Sequence, residues 1–207
     1  MQYGYFDDLA KEYVITGKDT PNVKTRIDVM RAVVFNPGIK ENACIFNHTQ
    51  GWGVMAECML GNGARAFEYY RASMPAAYNT RAEIRQCEPY VQGQTTYSIY
   101  SPRPGNTRTS WLTGAAAWSY YSATQYILGL RPEINGLWIE PCIPPGWDGF
   151  SMLRRFRSHL YRIVVHNPDH VCRGVVCTTV NGQRVSGNLI LPGMDGTEQS
   201  VEVWLGE

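Results

Sequence analysis

The rhythm of apolar and polar residues changes twice along the chain. Tyr3, Tyr5, Phe6, Tyr13, Val14 and Ile15 surround the polar Asp7-Asp8 and Lys11-Glu12, a pattern that predicts two short strands around a polar turn. Gly17 to Asn22 then reads as a break, and Arg31-Ala-Val-Val-Phe35 predicts one further strand. From Trp52 to Leu60 the period becomes helical, with Trp52, Met55, Ala56 and Met59 on one stripe and Gly61-Asn-Gly63 as the left-handed stop. A second helix is expected from about Ala64 to Ser73, ended by Pro75, and the short connection predicts an antiparallel pair. Arg81 to Arg85 has room for one helical turn, while Glu88 to Tyr97 and Ser101 to Asn106 read as polar loops. Trp111 to Leu128 enters a third long helix that stops at Gly129. After Arg131-Pro132 the period is two. Residues 137–142, 150–156, 159–165, 171–179, 183–191 and 201–205 predict an antiparallel sheet or sandwich, with Asn181-Gly182 as a hairpin turn.

Two of the joints between these elements carry chemistry. Pro37-Gly38 disfavours a helix start, so Lys40 to Asn47 reads as a loop feeding the first helix, which Asn47 or Thr49 is placed to cap. His48 stands at that start. Free N–H groups and partial positive charge at a helix N-terminus suit an anionic or polyhydroxylated ligand; plain capping around a partly buried structural histidine is the alternative. At the second joint, Thr113 is the natural cap and Gly114 lets a ligand approach the backbone. Capping by Thr113 with Gly114 for close packing again stands beside the ligand reading. Glu83, Glu88, Arg81 and Arg85 read as a solvated charge cluster, Arg154, Arg155 and Arg157 as strand-face residues, and His159, His166 and His170 as structural.

Composition narrows the partner. The chain has 207 residues, 44% of them hydrophobic, which is enough for a sizeable core, and a formal net charge of +1. That balance argues against a nucleic-acid surface or attraction to anionic membranes, and favours a small ligand. Thirteen Tyr and six Trp supply flat amphipathic rings of the kind that wall sugar sites. No stretch approaches the roughly 20 apolar residues needed to span a bilayer, and the first residues lack a basic start followed by an apolar run, so a cytoplasmic protein is expected. The six cysteines, Cys44, Cys58, Cys87, Cys142, Cys172 and Cys177, are irregularly spaced without a C-x-x-C pair. Reduced thiols are expected, and no metal site.

Several segments together resemble glycoside hydrolase family 94, the cellobiose and chitobiose phosphorylases. They are Asn36-Pro-Gly-Ile-Lys-Glu-Asn-Ala43, Phe46-Asn-His-Thr-Gln-Gly-Trp52, Ala56-Glu-Cys-Met-Leu-Gly-Asn-Gly63, Glu88-Pro-Tyr-Val91, Trp111-Leu-Thr-Gly114, Gln125-Tyr-Ile-Leu-Gly129, Gly136-Leu-Trp-Ile-Glu-Pro-Cys142 and Arg154-Arg-Phe-Arg157. Residues 1–20 look like the family's extreme N-terminus. The resemblance implies an α+β chain in which helices of a partial (α/α)6 barrel precede a C-terminal antiparallel β-domain. Residues 1–28 would be a remnant of the N-terminal β-domain, 29–135 the barrel part and 136–207 the β-sheet domain. The first strands would join the last part of the barrel between Thr20 and Arg31, with the intervening middle missing; only three or four helices are predicted where a closed barrel needs twelve.

The same resemblance implies inverting phosphorolysis of a β-1,4-linked disaccharide, in which phosphate attacks the anomeric carbon while one carboxylic acid protonates the leaving oxygen. His48, Thr113 and Gly114 match the family's phosphate site, Gln94 a residue that bonds the transferred sugar, and Lys40 an acceptor-side position. The family's catalytic aspartate lies in an upstream Trp- and Asp-containing motif of the barrel that does not occur here, the family's phosphate-binding arginine is absent too, and no catalytic residue is assigned in this chain. The implied partners are a disaccharide and inorganic phosphate as co-substrate, with no cofactor, and a second copy of the chain as in the family's homodimers. A non-catalytic carbohydrate- or phosphate-binding remnant is the competing expectation.

Overall fold

Three strands open the chain: β1 (Tyr3–Asp7), β2 (Glu12–Gly17) and β3 (Thr20–Arg26) pair as an antiparallel meander. The structure, a computed structural model, describes residues 3–7, 12–17, 20–26, 35–111, 113–193 and 198–207, with side chains described from residue 35 onward. β1 and β2 are the two strands that the aromatic pattern predicts. β3 departs from the break expected over Gly17 to Asn22. Gly17 instead pairs with Thr20, and Pro21, which cannot donate to a ladder, sits in an outer strand. Of the strand expected at Arg31–Phe35, residues 31–34 lie outside the described residues and Phe35 is in a bend.

The chain continues through β4 (Ile45–Phe46), α1 (Asn47–Met59), α2 (Gly63–Ser73), a 3-10 stretch (Pro75–Arg81), the single turn α3 (Ala82–Arg85), β5 (Gly93–Thr96), β6 (Thr107–Ser110) and α4 (Ala115–Ser122). The described chain forms two compact units. One takes Met1–Thr49 and Ser73–Ala116, the other Gln50–Ala72 and Ala117–Glu207. This division differs from the boundaries at residues 28 and 135 that the resemblance implies.

In the first unit a three-stranded sheet, β4-β5-β6, aligns Phe46 with Thr95 and Thr95 with Arg108. Gly93-Gln-Thr-Thr96 lies in a segment that reads as a polar loop, and Thr107-Arg-Thr-Ser110 carries no strand prediction, because neither shows apolar alternation. Cross-strand pairing and the β-branched threonines decide otherwise. The interior here is polar: Asn42, Thr95, Asn106 and Thr107 are buried. The Asn42 amide donates to the Phe35 carbonyl at 2.7 Å, and the Asn106 amide to Gln86 Oε1 at 3.0 Å. Arg85, expected in a solvated cluster, is buried and donates to the carbonyls of Cys87 (3.3 Å), Glu88 (2.5 Å) and Val91. Its fork thus closes the 87–91 loop on itself. Gly38 adopts φ +78°, and a Cβ there would stand 2.4 Å from the Ser101 nitrogen, so no other residue fits this turn.

The second unit has an apolar core in which Val54, Leu137, Ile139, Ile143, Ile163, Val201 and Leu205 are fully buried. α1 ends in a Schellman turn: Asn62 N–H donates to Glu57 O and Gly61 N–H to Cys58 O, as Gly61-Asn-Gly63 predicts. After α4, a π-helical turn (Ala123–Ile127) carries the chain into β7 (Leu130–Pro132). There the Ser122 and Thr124 hydroxyls donate to carbonyls of the preceding turn, at Ser119 and Tyr120. β8 (Leu137–Ile139), β9 (Gly149–Phe156), β10 (His159–His166), β11 (Val175–Val180), β12 (Gln183–Val185), β13 (Leu189–Ile190) and β14 (Glu198–Leu205) follow. They form a five-stranded sheet ordered β12-β11-β14-β10-β9 and a three-stranded sheet β13-β8-β7. Asn181 (φ +50°) and Gly182 (φ +78°) join β11 to β12 as the expected hairpin. The larger sheet is not wholly antiparallel, because β10 and β14 run parallel from Leu160↔Glu198 to His166↔Trp204. β11, β12 and β13 intervene in sequence between the two, a crossover long enough for parallel entry, and period-two alternation carries no strand direction. Among the described residues no helix is long and apolar enough to cross a membrane, and no three His, Cys, Asp or Glu side chains gather as a metal site would need.

Candidate functional site

The small β4-β5-β6 sheet of the first unit positions His48, Gln94 and Thr113, while Lys40 sits in the turn closed by the Ile39–Asn42 bridge. β4 leads into His48, β5 carries Gln94, and β6 leads through Trp111 to Thr113. Asn47, expected as a cap, is the first residue of α1; its amide donates to the Gly93 carbonyl at 2.8 Å, tying the start of α1 to β5. Thr49, the other expected cap, donates its hydroxyl to the Phe46 carbonyl at 3.0 Å.

His48, Thr113 and Gly114 come together. His48 Nε2 lies 2.9 Å from Thr113 Oγ1 and accepts the Gly114 N–H at 3.1 Å. A backbone N–H can only donate, so Nε2 is the unprotonated nitrogen and the ring proton sits on Nδ1. The Thr113 hydroxyl then donates to Nε2, leaving its oxygen to accept the Ala115 N–H at 3.0 Å. Thr113 therefore holds the start of α4, as the capping reading expects, and contacts His48 at once. The Phe46 ring stacks on His48, centroids 6.2 Å apart at 23°. A lone pair on His48 is thus held against donors at a helix N-terminus, where an anion's oxygen is also favoured.

Lys40 and Gln94 form a second cluster. Lys40 Nζ donates to Gln94 Oε1 and to Thr109 Oγ1, the latter at 3.1 Å. Thr109 escaped the sequence reading, although the Thr-Arg-Thr alternation that makes β6 was its signal. Lys40, Ala43, Thr109 and Trp111 all have positive φ, between 50° and 67°. Non-glycine residues held in this region cost about 1–3 kcal/mol each and gather at ligand sites. Glu88 flanks the same strand end. Its carboxylate accepts the Trp111 indole N–H at 3.0 Å, and hydrogen bonds from its own backbone, Trp111 and Cys87 hold its carboxyl below the usual range. Tyr90 meets Trp111 edge to face at 6.3 Å, so two exposed rings stand beside Glu88.

Of the other residues read from sequence, His170 Nδ1 contacts the Pro145 carbonyl at 3.0 Å, His166 stacks on Trp204 at 4.9 Å and His159 is buried in the second unit. Arg154 donates to the Tyr120 hydroxyl at 3.0 Å.

Residues 6–129 match the model of the Glycosyl hydrolase 94 superfamily, catalytic domain, and the chain belongs to that superfamily. Residues 130–172 match the Glycosyl hydrolase family 65, C-terminal domain. Among curated relatives, the chain is 41% identical to N,N'-diacetylchitobiose phosphorylase of Vibrio proteolyticus over 82% of its own length and 21% of the relative. It is 31% identical to solabiose phosphorylase of Paenibacillus borealis, over 88% of this chain and 24% of that protein. It is 28% identical to cellobionic acid phosphorylase of Neurospora crassa, over 86% and 22%. The chain therefore spans about a fifth to a quarter of the length of these disaccharide phosphorylases.

Proposed function

We propose that this chain supplies the phosphate seat and part of the sugar site of an inverting disaccharide phosphorylase of the cellobiose and chitobiose type. The observation that carries the reading is the convergence of His48 Nε2, the Thr113 hydroxyl and the Gly114 N–H within 2.9 and 3.1 Å. A phosphate oxygen taking the place of Nε2 would accept from Gly114 N–H and Thr113, with His48 turned to donate its ring N–H. The N-terminus of α4 adds favourable potential. Gln94 and Lys40 face the sugars, Gln94 toward the unit transferred and Lys40 toward the acceptor. In the reaction an O–C bond forms from phosphate to the anomeric carbon as the glycosidic C–O bond breaks, and the leaving oxygen takes a proton. No residue of this chain is assigned as the donor of that proton. The reading carries with it helices of a partial (α/α)6 barrel, a chain lacking the middle of the family's sequence, inorganic phosphate as co-substrate without a cofactor, a cytoplasmic site of action and a homodimer.

The test is release of sugar 1-phosphate from N,N'-diacetylchitobiose and cellobiose, with the chain alone and with the upstream family segment joined to it. The chain alone is expected to show no turnover, since the leaving group has no acid. The joined chain is expected to be active, and combined His48→Ala and Thr113→Ala replacement to lower kcat/KM by roughly two orders of magnitude or more, at about 1.5–3 kcal/mol per charge-assisted hydrogen bond. Activity in the chain alone would refute the missing acid, and full activity in the double variant would refute the phosphate seat. Binding of phosphate without turnover in either form would favour the non-catalytic remnant.

A further inference from the structure

Thr109 stands where the small sheet meets Lys40. The register of β5 and β6 aligns Gly93 with Ser110 and Thr95 with Arg108, which sets Gln94 opposite Thr109 as cross-strand neighbours. Lys40 reaches both of them: its ammonium donates to Gln94 Oε1 and, at 3.1 Å, to Thr109 Oγ1. All three residues are half-buried and keep surface open to solvent. The turn that carries Lys40 is itself fixed, since Gly38 N–H donates to the Asn42 carbonyl at 2.8 Å and Cys44 N–H to the Lys40 carbonyl at 3.2 Å.

An ammonium has three N–H donors, so Gln94 and Thr109 take two and leave one. Lysine has more rotamer freedom than most side chains, and a loose one would lose that freedom on meeting a ligand. Two acceptors on separate strands remove most of this loss beforehand. Because Gln94 Oε1 is turned to Lys40, the Gln94 amide N–H groups remain for a ligand. The backbone shows what the arrangement costs. Thr109 is β-branched and held at φ +58°, with Lys40 at φ +50°. Glycine takes this conformation freely and a β-branched residue rarely does. Threonine brings to this position a hydroxyl that meets Lys40, at a backbone cost that glycine would avoid.

We propose, resting on the phosphorylase reading of this site, that Thr109 is a positioning residue for the acceptor sugar. Its hydroxyl, with Gln94 Oε1, holds the Lys40 ammonium so that the one remaining N–H meets an oxygen of that sugar. Removing the Thr109 oxygen frees the ammonium to rotate among other partners, and the cost falls on binding of the acceptor rather than on attack by phosphate.

The experiment reads Lys40 first. In the 207-residue chain, isotope-labelled at the lysine nitrogens, Lys11, Lys18, Lys24 and Lys40 give the ammonium signals in magnetic resonance, and Lys40→Arg identifies the one that is lost. Thr109→Val and Thr109→Gly, the second free of the backbone cost, are each expected to speed hydrogen exchange of the Lys40 ammonium about tenfold, the effect of losing one charge-assisted hydrogen bond, and Thr109→Ser to stay within about twofold of wild type. In the chain joined to the upstream family segment, run in the synthetic direction from sugar 1-phosphate, the same two variants are expected to raise KM for free N-acetylglucosamine or glucose about tenfold while moving kcat and KM for the sugar 1-phosphate less than about twofold, and Thr109→Ser to restore the wild-type KM. A purely structural Thr109 would lower the melting temperature of Thr109→Val without that split. Free sugar titrated against the joined chain is also expected to shift the Lys40 signal, a binding readout independent of turnover. A joined chain without turnover, in which sugar still shifts Lys40 and does so less in Thr109→Val, would refute the phosphorylase reading and keep Thr109 as a positioning residue in sugar binding. Unchanged Lys40 exchange in both Thr109→Val and Thr109→Gly, an unmoved acceptor KM, or no shift of Lys40 with sugar would overturn the proposal.

Discussion

Replacing Thr113 by valine keeps the shape of the side chain and removes the one oxygen that joins α4 to His48. In the native chain that oxygen accepts the Ala115 N–H at 3.0 Å and meets His48 Nε2 at 2.9 Å. Ala115 is 1% exposed, so its amide has no water to turn to. Losing a helix-start bond of this kind costs about 0.5–2 kcal/mol, and leaving a buried donor unmade about 1–3 kcal/mol. These describe one event rather than two, so the local penalty is about 2 kcal/mol, a factor of roughly 30 in the local opening equilibrium. His48 keeps the Gly114 N–H and its stacking on Phe46, which confines the damage to the start of α4. Amide hydrogen exchange reads this directly: in Thr113→Val the Ala115 amide should lose about 30-fold of its protection, a factor following from that penalty. Thr113→Ser, which keeps the oxygen, should stay near wild type. If Thr113→Val protects Ala115 as well as the native chain does and binds phosphate equally well by calorimetry, the hydrogen-bond chain through Thr113 has neither the structural nor the functional weight given to it.

Two further perturbations probe the framework of each unit. Arg85→Lys replaces a planar fork that reaches three loop carbonyls by a single ammonium, and should raise exchange across residues 87–91 by an order of magnitude or more, at about 1.5–3 kcal/mol for each charge-assisted hydrogen bond removed; unchanged exchange there would show that the loop holds without it. Glu140 is half-buried, and burial alone would raise its carboxyl; hydrogen bonds and charge from Arg173, with Trp138 and Arg131, outweigh this and hold it below the usual carboxylate range. A depressed carboxylate contributes stability above its unfolded range and loses that contribution as pH falls through the folded value. Glu140→Gln should therefore melt below wild type at neutral pH, and the gap should close once the medium is acid enough to protonate Glu140. A gap of constant size across that range would contradict the assignment.

Turn chemistry and periodicity are local, and what they encode was legible from the residues alone. The Schellman end of α1 at Gly61, the helices α1, α2 and α4, and the Asn181-Gly182 hairpin each rest on a few neighbouring residues whose backbone preferences agree with the final fold. So do most of the C-terminal strands. His48, Thr113 and Gly114 were recognisable as residues at helix starts, and the family resemblance grouped them. Tertiary structure alone decided that two such starts, 65 residues apart at His48 and Thr113, share one hydrogen-bond chain. It also decided what short polar segments do, because β5 and β6 exist through pairing with strands distant in sequence rather than through an apolar pattern of their own. The parallel entry of β14 beside β10, the burial of Arg85 and the contact of Lys40 with both Gln94 and Thr109 have the same origin. Strand direction and the partners of a long polar side chain are set by which surfaces the chain brings together, and a one-dimensional pattern of apolar and polar residues does not contain them.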